Sequence, residues 1–272
     1  MKKKILIALL VVAVISASVM AFAGCNNGGV KVGFQTGTTG QSYTEEHKNL
    51  TPVQYSNPTL AVQDMLNKRI QYVITDISPA QAIVAQTQFK DKVKVINISL
   101  TDEMYCFAVG KDNDELKNQL NEFMINKSAE LKALQDAYIA GTNDVKKIPA
   151  GNKNAANALV VATNAEFAPF EYFIGDDFAG YDMEVMQMFC ETYGYELVID
   201  HMEFDAVVES VSTGKAKVGA AALTWSEDRA KMVNFTDKYY ESTQVIICMA
   251  DDTTFDNCKT REDVEAILNS LK

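Results

Sequence analysis

From Lys31 onward, short apolar runs alternate with stretches whose apolar residues recur at helical spacing. KVGF, TPVQY, QYVITD, KVKVINI and EMYCFAVG predict strands in the first half. Between them, PTLAVQDMLN carries Leu60, Val62, Met65 and Leu66 at helical spacing. SPAQAIVAQTQ predicts a short helix opened by Ser78, with Pro79 just inside it. Two longer helical patterns follow, DELKNQLNEF and SAELKALQDAYI. Residues 141–158, GTNDVKKIPAGNKNAANA, are dominated by Gly, Pro and Asn, offer no apolar face and predict a linker. The rhythm then resumes: strands at ALVVATN, ELVIDHM, KVGAAAL and STQVIICMA, and helices at GYDMEVMQMFCETYG, FDAVVESVSTG and TREDVEAILNSL. Strands alternating with helices in both halves predict an α/β protein with largely parallel sheets.

The first 25 residues do not fit that rhythm. Lys2, Lys3 and Lys4 precede an unbroken apolar stretch that ends in Ala23, Gly24 and Cys25. A basic start, an apolar core and small residues before a cysteine predict an export signal over residues 1–24. A retained membrane anchor is the competing reading, because the stretch is nearly long enough to span. Acyl groups on Cys25 and a short tether over residues 25–29 are expected instead, because NNGG follows the lone cysteine directly. The net charge of −11 and the absence of a basic tract argue against a nucleic-acid partner. The cysteines Cys106, Cys190, Cys248 and Cys258 share no metal-ligand spacing, and His47 and His201 lie far apart, so neither a metal site nor a cofactor is expected. Disulfides are permitted outside the cell, and the sequence does not choose among the pairings.

Three features carry candidate binding chemistry. Thr36, Gly37, Thr38, Thr39 and Gly40 form a loop after the first strand whose amides and hydroxyls suit an anion. It lacks the GK[ST] ending of a nucleotide-binding loop, and read without context it is a strand-to-helix turn. Arg229, in TWSEDR, offers a planar two-donor fork for a carboxylate, and Ser226 starts a short helix beside it. Asp76 closes the strand YVITD, where it suits either an ammonium or the cap of the following helix.

The second half resembles the first lobe of the extracellular solute-binding proteins, family 3, of polar amino acid ABC transporters. The matching phrases are ATNAEFAPFEY, GYDMEVMQMF, MEFDAVVESVSTGK and ALTWSEDRAKMVNFTDKYYESTQVIIC. The first half resembles that family's second lobe, in KVGFQTGTTG, AVQDML, YVITD and LTDEMYCFAVGKDNDEL. Almost all of the chain after the signal is covered, but in reversed order. The resemblance therefore implies a two-lobed periplasmic-binding-protein-like type II fold, circularly permuted, with a two-strand hinge. One lobe comprises residues 30–110 and 245–272. The other comprises residues 111–244, including the linker. Cys106 and Cys248 fall in the expected hinge strands, either as a cross-strand pair or as buried thiols.

The resemblance further implies an extracellular, lipid-anchored monomer that binds a free amino acid and delivers it to a permease by closing. Arg229 takes the ligand carboxylate with Thr224 and Ser226, the loop Thr36, Thr38 and Thr39 closes on it, and Asp76 takes the amine. Phe167 and Phe204 match two aromatic positions that sandwich the ligand side chain. Asn164 stands where some relatives have an acid, which favours a polar, neutral ligand, although Glu166 and Glu171 lie near in sequence. Three departures stand out: Ala222 replaces a glycine, Lys217 an aspartate and Trp225 an aliphatic residue. Trp225 is expected to pack inward under the site, the alternative being that it faces the ligand. A sensory binding protein, or a dehydratase-like enzyme acting on cyclic acids, are the competing functions. No cluster of nucleophile, base and orienting residue supports the enzyme.

Overall fold

The strand Val30–Gln35 pairs in parallel with Leu50–Tyr55 on one side and with Tyr72–Asp76 on the other in the computed structural model. The structure describes residues 29–271; the export signal expected over residues 1–24 and the expected acylation site Cys25 lie outside them. Gln244–Met249 runs antiparallel beside Tyr72–Asp76, and Val93–Ile96 closes that sheet. Every residue of Tyr72–Asp76 is buried, as a strand covered on both faces requires. A second five-stranded sheet follows the same plan. Glu196–His201, Ala158–Thr163 and Val218–Gly219 are parallel, Ala108–Gly110 runs against them, and Val233–Phe235 lies at the edge. The fold is thus α/β with two lobes, each with its own sheet.

Helix Arg261–Ser270 opens on a capping box between Thr260 and Asp263. It buries Val264 and Leu268 in the same core as Val32, Tyr72 and Ile246. The last described helix and the first strand therefore share one apolar interior.

The lobes are joined by two paired strands, Glu103–Tyr105 and Tyr240–Ser242, with Tyr105 opposite Tyr240 and Glu103 opposite Ser242. EMYCFAVG, expected as one strand, is two. Glu103–Tyr105 belongs to the hinge, while Ala108–Gly110 already belongs to the second sheet. The first crossing thus precedes residue 110, the boundary expected from sequence. Apolar periodicity reports that a segment is buried, not which of two sheets buries it. The same division separates the two hinge cysteines. Cys248 lies opposite Lys94 inside the first sheet, and Cys106 sits just past the hinge strand. Both are free thiols, and burial pushes Cys106 up to about 11 and Cys248 up to about 12.

Residues 141–157 are irregular, and the strand Ala158–Thr163 begins at the last residue of the expected linker, yet the segment is fastened to the second lobe. Ile148 is buried and bridges Phe178. The Ile199 N–H donates to the Ala150 carbonyl at 2.9 Å. Gly151 has φ +80°, and a Cβ there would stand 1.9 Å from the Leu197 carbonyl oxygen. An L-residue is disfavoured by the backbone alone at such a φ, and here its side chain also meets a carbonyl. Gly151→Ala is therefore expected to destabilise the protein by about 2 kcal/mol or more. Urea unfolding checks this, and an unchanged midpoint would mean that the segment is not fastened.

Candidate functional site

The site lies between the lobes, beside the hinge. Thr38 caps helix Thr39–Glu46 by accepting from the Gln41 N–H at 3.4 Å, while its own hydroxyl donates to the Gln35 carbonyl at 2.7 Å. The Thr36 hydroxyl donates to the Tyr55 carbonyl at 3.2 Å. Both hydroxyls therefore serve the local backbone. Gly37, at φ +79°, passes so close over the second lobe that a Cβ would meet the Asp205 side chain at 2.8 Å.

Arg229 faces this loop. Ser226 starts helix Glu227–Met232 and accepts from the Arg229 N–H at 3.3 Å. The Arg229 guanidinium donates from Nη1 to the Thr224 carbonyl at 2.7 Å and from Nη2 to the Gly37 carbonyl, in the other lobe, at 2.9 Å. It lies 5.3 Å from the Phe204 ring centre, within cation–π range. Burial lowers its pKa, against the pull of Glu103 and Asp76. The guanidinium is therefore held by two carbonyls, one from each lobe, with a ring nearby.

Asp76 occupies the position before helix Ile77–Val84 but makes no side-chain cap bond. Its carboxyl turns to the hinge. Oδ1 accepts from Tyr105 Oη at 2.5 Å and Ser242 Oγ at 3.2 Å, and Oδ2 accepts from Gln244 Nε2 at 2.9 Å. Burial, and secondarily the charge of Glu103, push Asp76 up to about 7 despite those three donors. Ser78 does not fill the cap role either; its hydroxyl pairs with Tyr240 Oη at 2.7 Å.

Sequence reasoning missed Glu103. It is buried on the hinge strand, where Oε2 accepts from Thr39 Oγ1 at 3.0 Å and Thr224 Oγ1 at 2.7 Å. Oε1 accepts from Thr101 Oγ1 at 2.8 Å. One carboxyl thus joins a hydroxyl from each lobe. A charged residue inside the apolar run EMYCFAVG was the available signal. Gln35 was missed too: its Nε2 donates to Asn164 Oδ1 across the lobes at 2.8 Å, and Asn164 Nδ2 donates to the Met202 carbonyl at 2.8 Å.

The two aromatic residues do not share one cluster. Phe204 packs under Arg229, whereas Phe167 belongs to the second lobe's core and lines a cavity of about 370 Å³ with Asn57, Pro79, Ile83, Glu166 and Tyr172. Glu166 accepts from Asn57 Nδ2 across that cavity at 2.7 Å. Trp225 does not pack inward; its side chain is 46% exposed, and its N–H donates to the hinge residue Met104. A strand-edge backbone bond at Trp225 leaves buried Thr224 and half-buried Ser226 to face the site. Ala222 has φ +46°, the reason a glycine suits this position, and its N–H donates to Asp182 Oδ2 at 2.9 Å. Glu171 is fully buried with neither carboxyl oxygen partnered, and burial, then Asp182, raise it well above the ordinary value.

Residues 159–272 match the family model of bacterial extracellular solute-binding proteins, family 3. That stretch is less than half of the chain. It contains Asn164, Phe167, Phe204, Thr224, Ser226 and Arg229, and runs from the second sheet through the hinge into the first. The chain is 28% identical over 101 residues to the arginine-binding extracellular protein ArtP of Bacillus subtilis (strain 168), covering 37% of this chain and 40% of that one. It is 30% identical over 95 residues to a probable histidine-binding protein of Neisseria gonorrhoeae, covering 35% of each. The matches thus span well under half the length of these relatives. Among solved structures, the arginine-bound domain 1 of TmArgBP aligns at 28% identity and a TM-score of 0.31, over 42% of this chain and 94% of that one. No helix among the described residues is long and apolar enough to cross a membrane.

Proposed function

We propose that the protein binds a free α-amino acid between its lobes, outside the cell, and presents it to the permease of an ABC transporter. The observation that carries this reading is the convergence of Arg229 and Asp76 on one hinge-side network through Glu103. A guanidinium fork suits a carboxylate, and a buried carboxyl suits an ammonium. Closure brings Gly37 and Asn57 against Arg229 and Glu166, which alters the face offered to a permease. The side-chain end favours a polar, neutral ligand: Asn164 and Gln35 are amides already bonded to each other, and an amide does not offset a buried cation.

The permuted order belongs to the same reading. Its support is the core shared by Arg261–Ser270 and Val30–Gln35, which direct continuation of one into the other would explain. One lobe is then residues 30–110 with 245–272, adjusted at the hinge, and the other is residues 111–244. Acylation of Cys25 would hold the protein at the membrane surface as a monomer.

Isothermal calorimetry of the purified protein against the twenty standard amino acids tests the function. One or a few are expected to bind with Kd of about 1 μM or tighter, near −8 kcal/mol, with polar neutral ligands ahead of arginine and lysine. Binding of none of the twenty would overturn the proposal.

A further inference from the structure

We propose that the pole of the first lobe opposite the cleft is a docking surface for anionic lipid headgroups, formed by Lys31, Lys48, Lys68 and Arg69. The inference rests on the acylation of Cys25 in the reading above and goes beyond it, because it names the face that meets the membrane. Leu50–Tyr55, Val30–Gln35 and Tyr72–Asp76 are neighbouring parallel strands in that order. All three run toward the cleft, with Thr36 just past the end of one and Asp76 closing another. Their starting ends therefore share one edge, neighbouring strands lying about 4.8 Å apart. Lys48 precedes the first strand, Lys31 lies at the start of the middle one, and Lys68 and Arg69 precede the third. The Gln71 N–H donates to the Lys31 carbonyl at 2.9 Å, which joins the last two of these segments. All four cations are exposed.

The charge of this edge is uncommitted. Lys117, Lys132, Lys153 and Lys238, elsewhere on the surface, are each paired with a carboxylate. Lys31, Lys48 and Lys68 make no ion pair among the described residues. Arg69 pairs with Asp64 at 2.8 Å, and Glu46, at the end of its helix, is the other acid beside them. Four cations thus stand with two acids in a chain whose net charge is −11. Farther along the edge, Lys90 and Lys92 are outnumbered by Asp91, Asp251 and Asp252, so the basic patch is confined to the three strand starts. Lys68 also sits at φ +59°, just past helix Pro58–Leu66, where a glycine is the least strained residue. A lysine there carries its charge at a backbone cost. The middle strand begins at Val30, and residues 26–29 alone separate it from Cys25, a span of at most about 18 Å for an extended chain. Acyl chains on Cys25 keep this edge close to the headgroups, where lysines are attracted to an anionic surface. The same strands run from the edge to the cleft, so this pose turns the cleft away from the bilayer, toward incoming ligand. Delivery to a permease then requires leaving the pose, which a few exposed charges allow.

Amine acetylation of the full lipoprotein, isolated from its membrane and placed in vesicles, tests this lysine by lysine by mass spectrometry. Lys31, Lys48 and Lys68 are expected to react about fivefold more slowly on phosphatidylglycerol than on phosphatidylcholine vesicles. Lys215 and Lys217, exposed on the second lobe, are expected to react equally on both. Salt at about 1 M shortens the Debye length to about 3 Å and is expected to erase the difference. The signal-free protein with Cys25→Ser removes the anchor and leaves the patch. Its cosedimentation with phosphatidylglycerol vesicles at low salt is expected to weaken about 100-fold when Lys31→Gln, Lys48→Gln and Lys68→Gly are combined, at roughly fivefold per lysine. Lys68→Gly relieves the backbone, so this variant is expected to melt no lower and to keep its amino-acid affinity. Equal acetylation of the three lysines on both lipids would overturn the inference. An unmodified Cys25 would sink the anchoring instead, and cosedimentation then decides the patch: binding lost in the triple variant supports it, and no binding to phosphatidylglycerol overturns it.

Discussion

Arg229→Ala is expected to weaken amino-acid binding about 30-fold or more, because truncating one partner of a buried charged pair costs about 2–5 kcal/mol. The Thr224 and Gly37 carbonyls fix the two ends of the guanidinium, and the Phe204 ring lies within cation–π range of it. Arg229→Lys is expected to restore little. An ammonium is a compact point charge and cannot hold two carbonyls while presenting a planar fork. The Gly37 bond also ties the lobes together, so a loss of affinity alone does not prove carboxylate recognition. The methyl ester of the bound amino acid separates the two roles. In the unaltered protein, esterification removes the charge that Arg229 meets and is expected to cost a similar factor. In Arg229→Ala, acid and ester are expected to bind alike, since the two changes remove the same interaction. Equal discrimination between acid and ester in both proteins would show that Arg229 acts only as a lobe tie.

How much of this was legible before the structure depended on what kind of information each residue carries. The α/β rhythm was legible because buried strands such as YVITD and amphipathic helices such as PTLAVQDMLN leave a periodic trace. Ser226 and Arg229 were legible because a helix start and a fork of donors are local chemistry. The division of EMYCFAVG was not, since both halves are apolar and the change of sheet lies in their partners, Tyr240–Ser242 and Val233–Phe235. Glu103 was hidden for a related reason. Its three hydroxyl partners come from Thr39, Thr101 and Thr224, and no local spacing brings those together. Phe167 and Phe204 carry a different kind of information: matching positions suggested one sandwich, and burial places the rings in two separate apolar clusters of the second lobe. Trp225, in place of an aliphatic residue, was expected to pack inward, yet the alternation that buries Thr224 turns its neighbour outward.

Affinity and stability are expected to respond to pH in opposite directions. Asp76 and Asp182 are both pushed up to about 7, chiefly by burial, and burial raises Glu171 well above its ordinary value too. The folded protein therefore holds these protons more tightly than the unfolded chain, where carboxyls titrate near 4. Such groups contribute stability that is fully present below about pH 4 and is lost as pH rises through about 7. The ligand-free protein should accordingly melt at a higher temperature at pH 5.5 than at pH 8, by about 2–4 °C for each kcal/mol. Ligand binding runs the other way. Asp76 faces Tyr105, Ser242 and Gln244 as donors, with Glu103 and Glu171 as neighbouring acids and Arg229 as the nearby cation. An incoming ammonium favours its carboxylate, so below about pH 7 binding must release a proton. Affinity is then expected to fall by up to about tenfold per pH unit from 7 toward 5. Calorimetry in two buffers of different ionisation enthalpy counts the released protons directly. Asp76→Asn should abolish both the proton release and the slope, and should bind more weakly at pH 8. Affinity that stays constant between pH 5.5 and 8, with no proton exchanged, would remove Asp76 from the ammonium site.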